Sequence, residues 1–364
     1  MTTSRRLETT TRTKGKRSRL RAMTWSLMFI VCSAMLLPAL SYLVTSDQVH
    51  AQVTGDQNQR SNFWRAVRYG ESGYSAVSGP ESGVLINSGG QDWRAIRNNI
   101  ITKYGGWAVL AGLGAVLLFF LIRGRIRIDE ERSGFTVPRW SLFERIMHWY
   151  TALLFVALAI TGLSMLFGRA VLIPLLGAKG FSLWASLSIN VHNVVGPFFA
   201  IGVFAMLLFW VKNNIPNATD MAWFAKGGGL IGKAHPSAGK ANGGEKVWYW
   251  FVIIIGLVAV CGSGIVLLGW AANWGLVQDT RAIMQLSHQI HAIAAIVWIV
   301  LFFGHAYIGT IGTEGALEGM TSGRVSVEWA QQHHDLWYDE VKSQAAQETT
   351  RSSSEESPAQ TSPS

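Results

Sequence analysis

The sequence predicts an all-α integral membrane fold, and three observations carry the prediction. Six apolar runs approach or exceed the length that crosses a bilayer, about 20 residues at ~1.5 Å of helical rise each. They are 23–44, 106–122, 149–167, 191–211, 247–270 and 287–312. Hydrophobic residues form 49% of the 364, including 16 Trp, so only modest stretches are left for water. The basic residues, finally, are sorted by connection. Six Arg lie between Arg123 and Arg145 and five Lys between Lys212 and Lys246, whereas 168–190 carries only Arg169 and Lys179, and 271–286 only Arg281. This is the positive-inside pattern, which predicts the first two connections in the cytoplasm and the other two outside.

The first apolar run is preceded by eight Lys/Arg and followed by Val49-His50-Ala51, small residues of the kind signal peptidase cuts behind. Residues 1–51 therefore read as a signal peptide or an N-terminal anchor. Either leaves 52–104 as an external, periplasmic region, a partner-binding arm or an ordered loop, with turn signals at Gly79-Pro80 and Gly89-Gly90. Residues 105–123 form an additional transmembrane helix, short and rich in glycine. Pro138 precedes the next helix and opens a domain, 138–342, of four transmembrane helices. Its long glycine-rich connection before Lys246 reads as a loop with a short helix near Asp220–Phe224. Residues 343–364, rich in Ser, Thr, Glu and Gln, read as a disordered cytoplasmic tail.

The net charge of +9 invites a nucleic-acid reading, but its placement is topological, and no nucleic-acid partner is expected. The two cysteines, Cys32 and Cys261, form no CxxC or CxxCH pattern. This excludes a four-cysteine iron–sulfur cluster and thioether-linked haem.

Four histidines lie in or at the ends of apolar spans, where ionisable residues are functional by default. His148 opens an outward helix and is predicted near the cytoplasmic face; His192 opens the next and is predicted near the outer face. His291 enters from outside, and His305 follows 14 residues later, about 21 Å deeper. Depth thus pairs His148 with His305 and His192 with His291. Fourteen residues at roughly 100° each leave His291 and His305 about 40° apart on one helix face, whereas His288 sits about 100° from His305 and suits the seam less well. Two imidazoles at each of two depths would ligate two b-type haem irons from both faces. Gly162, at the outer depth, would let a flat macrocycle approach the backbone. Zn or Cu could also take imidazole, but no Asp or Glu lies in the four spans after Trp149 to complete such a site. The expected fold is a four-helix dihaem cytochrome b bundle plus an extra N-terminal span and a leader or anchor.

The runs Arg145-Ile146-Met147-His148-Trp149, His192 with Gly196-Pro197-Phe198-Phe199, and His291 with His305 resemble the cytochrome b (gamma) subunit of respiratory formate dehydrogenases. So does 315–338, with Glu318-Gly319-Met320, Gly323-Arg324-Val325, Trp329-Ala330 and His333-His334 before Trp337-Tyr338. The resemblance covers about 138–342. It implies a bacterial inner-membrane, multi-pass subunit of a quinone-reducing formate dehydrogenase, with no formate-oxidising site in this chain. Its partners would be a molybdenum or tungsten catalytic subunit and an iron–sulfur electron-transfer subunit. By the same resemblance, His192 and His291 hold the haem nearer the iron–sulfur partner, and His148 and His305 the cytoplasmic haem. Asn242 matches the position that contacts quinone, the substrate. Arg145 could pair with a haem propionate or a quinone oxygen, or could be one more positive-inside residue. His235, His333 and His334 read as ordinary polar residues in water-exposed segments, and His288 as a rim residue. A NiFe hydrogenase or thiosulfate-reductase-type cytochrome b shares the histidine set; a haem-free anchor or transporter is the rival of another class.

Overall fold

The computed structural model describes residues 88–229 and 235–342. The leader or anchor (1–51), most of the external region and the tail (343–364) lie outside the described residues. Among those described, four helical runs are long and apolar enough to cross a membrane. They are Gly89–Arg123 (α1), Leu142–Asn214, Gly243–Leu267 (α5) and Arg281–Gly312 (α7). The second run is two helices: Gly177 takes φ 68°, ψ 172°, a conformation open to glycine and strained for other residues, and splits it into α2 (142–176) and α3 (178–210). The protein is thus a mostly helical, multi-pass membrane protein. A short helix Ala218–Ala225 (α4) and a single turn Trp270–Asn273 (α6) lie in connections. After α7 come Ala316–Thr321 (α8) and Val327–His333 (α9).

Two expectations change. Residues 168–190 are helical on both sides of Gly177 rather than a loop; Arg169 and Lys179 mark that segment as polar, yet Leu, Val, Ile and Ala between them favour helix. The extra span also begins earlier than expected, because Gly89–Arg123 is helical throughout, with a π turn at Ile96–Ile101. Many large apolar side chains, among them Leu121, Leu153, Leu183 and Val258, are exposed. On a membrane protein these face lipid.

The chain forms two compact units. The first holds the described residues up to Ala111, with Leu153–Phe198 and Ser263–Ile299. Its core includes a ridge on α2 at every fourth residue, Phe155, Ala159, Leu163, Phe167 and Val171, all buried, which winds by about 40° per step around a 3.6-residue helix. Phe155 meets Trp298 of α7 with ring centres 5.2 Å apart. Helix α1 approaches α7 at Gly105, where a Cβ would lie 2.5 Å from Ile296 Cδ1; a small residue at a helix contact lets backbones close up.

The second unit holds Gly112–Ala152, Phe199–Gly262 and the described residues from Val300 onward. Phe199, Val203 and Met206 of α3 and Phe303 and Tyr307 of α7 are buried in it. It also carries a polar module. Strand β1 (Thr136–Pro138) pairs antiparallel with β2 (Arg324–Ser326), Val137 opposite Val325. Val325, Trp329, Ala330 and Trp337 form its apolar centre. Ser141 opens α2 with a capping box, its hydroxyl accepting from Glu144 N and Glu144 accepting from Ser141 N, which satisfies two otherwise orphaned amides. Gly323 turns the chain at φ 80° and accepts from the amides of Arg139 and Trp140. The Glu328 carboxylate accepts from Ser133 N at 2.9 Å, and the Ser133 hydrogen bonds hold its pKa down at about 2.

Candidate functional site

The four histidines fall into two opposed pairs, one in each unit. In the first unit His192 of α3 faces His291 of α7, ring centres 6.0 Å apart and planes at 70°. In the second His148 of α2 faces His305 of α7 at 6.3 Å and 53°. An imidazole nitrogen bonds a transition metal at about 2 Å. Adding ~1 Å from each ring centre to its nitrogen gives ~6 Å between rings on opposite faces of one metal. Both pairs therefore fit an iron ligated from above and below, and all four rings are only half-buried, which leaves space beside them. Among the described residues no cluster of three or more His, Cys, Asp or Glu is placed to hold a metal ion.

The surroundings of the two pairs differ. His192 Nδ1 lies 2.9 Å from Thr161 Oγ1, and the Thr161 hydroxyl donates to Ala157 O at 2.9 Å. A hydroxyl has one hydrogen, so Thr161 accepts from the imidazole. His291 Nδ1 lies 3.1 Å from Ser263 Oγ. Each hydroxyl residue is followed by a glycine against which the ring is seated: a Cβ on Gly162 would lie 3.3 Å from His192 Cε1, and one on Gly264 3.4 Å from His291 Cε1. Gly162 thus makes room for the imidazole itself. In the second unit, by contrast, His148 Nδ1 is buried without a partner, and His305 stacks on Trp248 of α5 at 4.6 Å and 11°. Thr161, Ser263 and Trp248 were not among the expected site residues. The one signal for the first two is a hydroxyl residue directly before a glycine at histidine depth.

His288 joins neither pair; its ring meets Trp93 of α1 edge-on at 5.6 Å. Arg145 has a task that sequence did not suggest. Its Nη1 donates to Thr321 O at 2.7 Å, and Trp149 Nε1 donates to Met320 O at 2.9 Å, so one turn of α2 clasps the end of α8. Arg145 Nε stays buried without a partner. Asn242 is the N-cap of α5: its side-chain oxygen accepts from Glu245 N at 2.9 Å, leaving the amide NH2 as its remaining side-chain donor.

The reading of His333 and His334 as exposed polar residues is corrected. His334 is 1% exposed, because Trp329 and Trp337 wall it in. Its Nδ1 donates to Gly239 O at 2.7 Å, and its Nε2 accepts from Arg139 Nη2 at 3.0 Å. His333 has a buried Nε2, and His235 pairs with Asp129 at 2.9 Å. Burial, with Arg139 adding repulsion, holds the His334 pKa well below its ordinary value, and burial lowers that of His333 to about 4. With folded values depressed, the neutral rings contribute fully above the unfolded value of about 6.5, and the contribution is lost as pH falls. Hydrogen exchange, corrected for intrinsic rates, is expected to show amide protection around 239–245 and 327–337 declining from about pH 7 to pH 5. Protection that is flat over this range would contradict the neutral assignment.

Apolar helices that bring imidazoles together in opposed pairs give the donor set of a membrane cytochrome b. The chain belongs to the prokaryotic cytochrome b561 family, which matches residues 139–323, and membership makes it a b-type haem protein. It is 28% identical over 224 residues to the cytochrome b556(Fdn) subunit of the nitrate-inducible formate dehydrogenase of Escherichia coli K12, covering 58% of this chain and 95% of that protein. A second E. coli K12 protein, the formate dehydrogenase cytochrome b556(fdo) subunit, is 28% identical over 57% of this chain and 94% of its own length. The formate dehydrogenase cytochrome b556 subunit of Haemophilus influenzae is 29% identical over 54% and 79%. Helix α1 precedes the family match.

Proposed function

We propose that this chain is the membrane cytochrome b subunit of a formate dehydrogenase, carrying electrons from an iron–sulfur partner through two b haems to quinone. The observation that carries the proposal is the pair of imidazole oppositions at 6.0 and 6.3 Å, each spaced for one metal. His192 and His291 hold the haem nearer the iron–sulfur subunit, and His148 and His305 the haem nearer the cytoplasm. Haem supplies one-electron redox chemistry when bound; the protein supplies ligands, orientation and exclusion of water.

The remaining roles follow from donor chemistry. Asn242 offers its NH2 group to a quinone carbonyl while its oxygen caps α5. The unpartnered Arg145 Nε, three residues before His148, is a donor suited to a propionate or a quinone oxygen. The partners are an iron–sulfur subunit and a molybdenum or tungsten catalytic subunit, in a bacterial inner membrane. The 138–342 segment forms the haem domain.

The test is a pyridine haemochrome assay and metal analysis on the complex purified through this chain. Two b haems per chain, molybdenum or tungsten, and haem bands that formate reduces and quinone reoxidises are expected. A colourless chain would overturn the haem reading and leave a membrane anchor; nickel in place of molybdenum or tungsten would assign the electrons to hydrogen.

A further inference from the structure

We infer that Thr161 and Ser263 are positioning residues that make His192 and His291 the more electron-rich imidazole pair, giving the haem they hold a lower reduction potential than the haem on His148 and His305. The inference rests on the two-haem reading above.

The Thr161 hydroxyl hydrogen is committed to the α2 backbone, at 2.9 Å from Ala157 O and 3.1 Å from Leu158 O. Its oxygen therefore accepts from His192 Nδ1–H at 2.9 Å. That fixes the tautomer, so that Nε2 carries the lone pair a metal needs. Ser263 Oγ stands at the same atom of His291, at 3.1 Å. The repetition is structural as well as chemical. Thr161-Gly162 and Ser263-Gly264 each seat one imidazole against a glycine whose Cβ would come within 3.4 Å of Cε1, and each presents the preceding hydroxyl to Nδ1.

An Nδ1–H donated to an oxygen raises the basicity of the ligating nitrogen. A more basic ligand favours the more positive, oxidised metal and lowers its potential. The other pair lacks this support. His148 Nδ1 is buried without an acceptor. His305 carries a Trp248 ring on its face instead. With haem bound at both pairs, these two hydroxyls would lower the potential at the His192–His291 site and so favour one-electron transfer from there to the His148–His305 site.

The test is a potentiometric titration of the haem bands in the purified complex carrying Thr161→Val, Ser263→Ala or both. Each substitution is expected to shift the reduction equilibrium of one haem component toward the reduced form by about threefold to tenfold, ~30–60 mV at 59 mV per tenfold for one electron. The double variant should approach the product of the two, with the second component unmoved, and Thr161→Ser should restore the wild-type value. Unshifted potentials with both haems still bound, or equal shifts in both components, would overturn the inference. So would loss of haem in both single variants, since the hydroxyls would then hold the ligands rather than tune them. Failure of the parent reading looks different: the unsubstituted complex would itself lack two b haems.

Discussion

His305→Ala, expressed in the full chain with its partner subunits, is expected to retain one b haem in place of two. Electron transfer from formate to quinone should fall by more than roughly a hundredfold, because even changes to groups behind a ligand cost 10–100-fold in metal affinity. Formate oxidation with a soluble dye acceptor should persist, since the proposed function places that reaction in the catalytic partner. The reason is geometric. His148 faces His305 at 6.3 Å, and no other described histidine shares the second unit's spans. Truncation would leave His148 as the one imidazole of the pair and an imidazole-sized gap beside Trp248. His288→Ala is the matched control: it removes a histidine from the same helix, but one that packs on Trp93, so two haems should remain. Two haems in His305→Ala would break the ligand assignment, and one haem in His288→Ala would redirect it.

The histidine pairing was legible in the sequence because helical rise and rotation alone set depth and face, and an imidazole in an apolar run has few bland explanations. What lay behind the histidines was not. Thr161 bonds the carbonyl four residues back, as hydroxyl residues in membrane helices commonly do, so its residue type alone does not distinguish it from a packing residue, and only the glycine directly after it marks the position. Trp248 was hidden among the other aromatics near the end of a span. Among the described residues the apolar runs after 105 are helical because apolar length is a strong signal, whereas 168–190 read as a loop because two basic residues outweighed the aliphatics around them. The Gly177 break was invisible, since one glycine among several carries no mark of a left-handed φ. The polar module was missed for a different reason. Its residues, 126–140, 235–245 and 313–338, look like solvated connections one at a time. Only long-range pairing, Val137 with Val325 and Arg139 with His334, turns them into a core.

Arg139 makes the second large prediction. Its side chain is 3% exposed, and its guanidinium carbon lies 5.3, 4.8 and 5.1 Å from the ring centres of Trp140, Trp329 and Trp337. Nη2 reaches Lys240 O at 3.1 Å, His334 Nε2 at 3.0 Å and Glu245 Oε1 at 3.4 Å, while Nη1 has no hydrogen-bond partner. The Glu245 arm is 44% exposed and so worth no more than about 1 kcal/mol after screening. The desolvated cation–π contacts are worth about 2 kcal/mol. Losing the Arg139 donor leaves two acceptors unsatisfied inside the module, at about 1–3 kcal/mol each. These contributions overlap, and Arg139→Ala is expected to cost about 3–5 kcal/mol, the range for stripping one partner from a buried charged network. Burial already pushes the Arg139 guanidinium below its ordinary pKa against the pull of Glu245, so the charge is held at a cost that only the full cage offsets. Arg139→Lys should recover less than half, because a compact ammonium cannot stack between the indoles and bridge the same acceptors at once. The readouts are thermal unfolding in detergent and tryptic cleavage after Lys240, whose carbonyl Arg139 holds. Haem content should be unchanged, since the four histidines sit on helices outside this cage. Wild-type melting in Arg139→Ala would mean that the three indoles close over the gap without the cation, and the cage would then be a consequence of the module's packing instead of its cause.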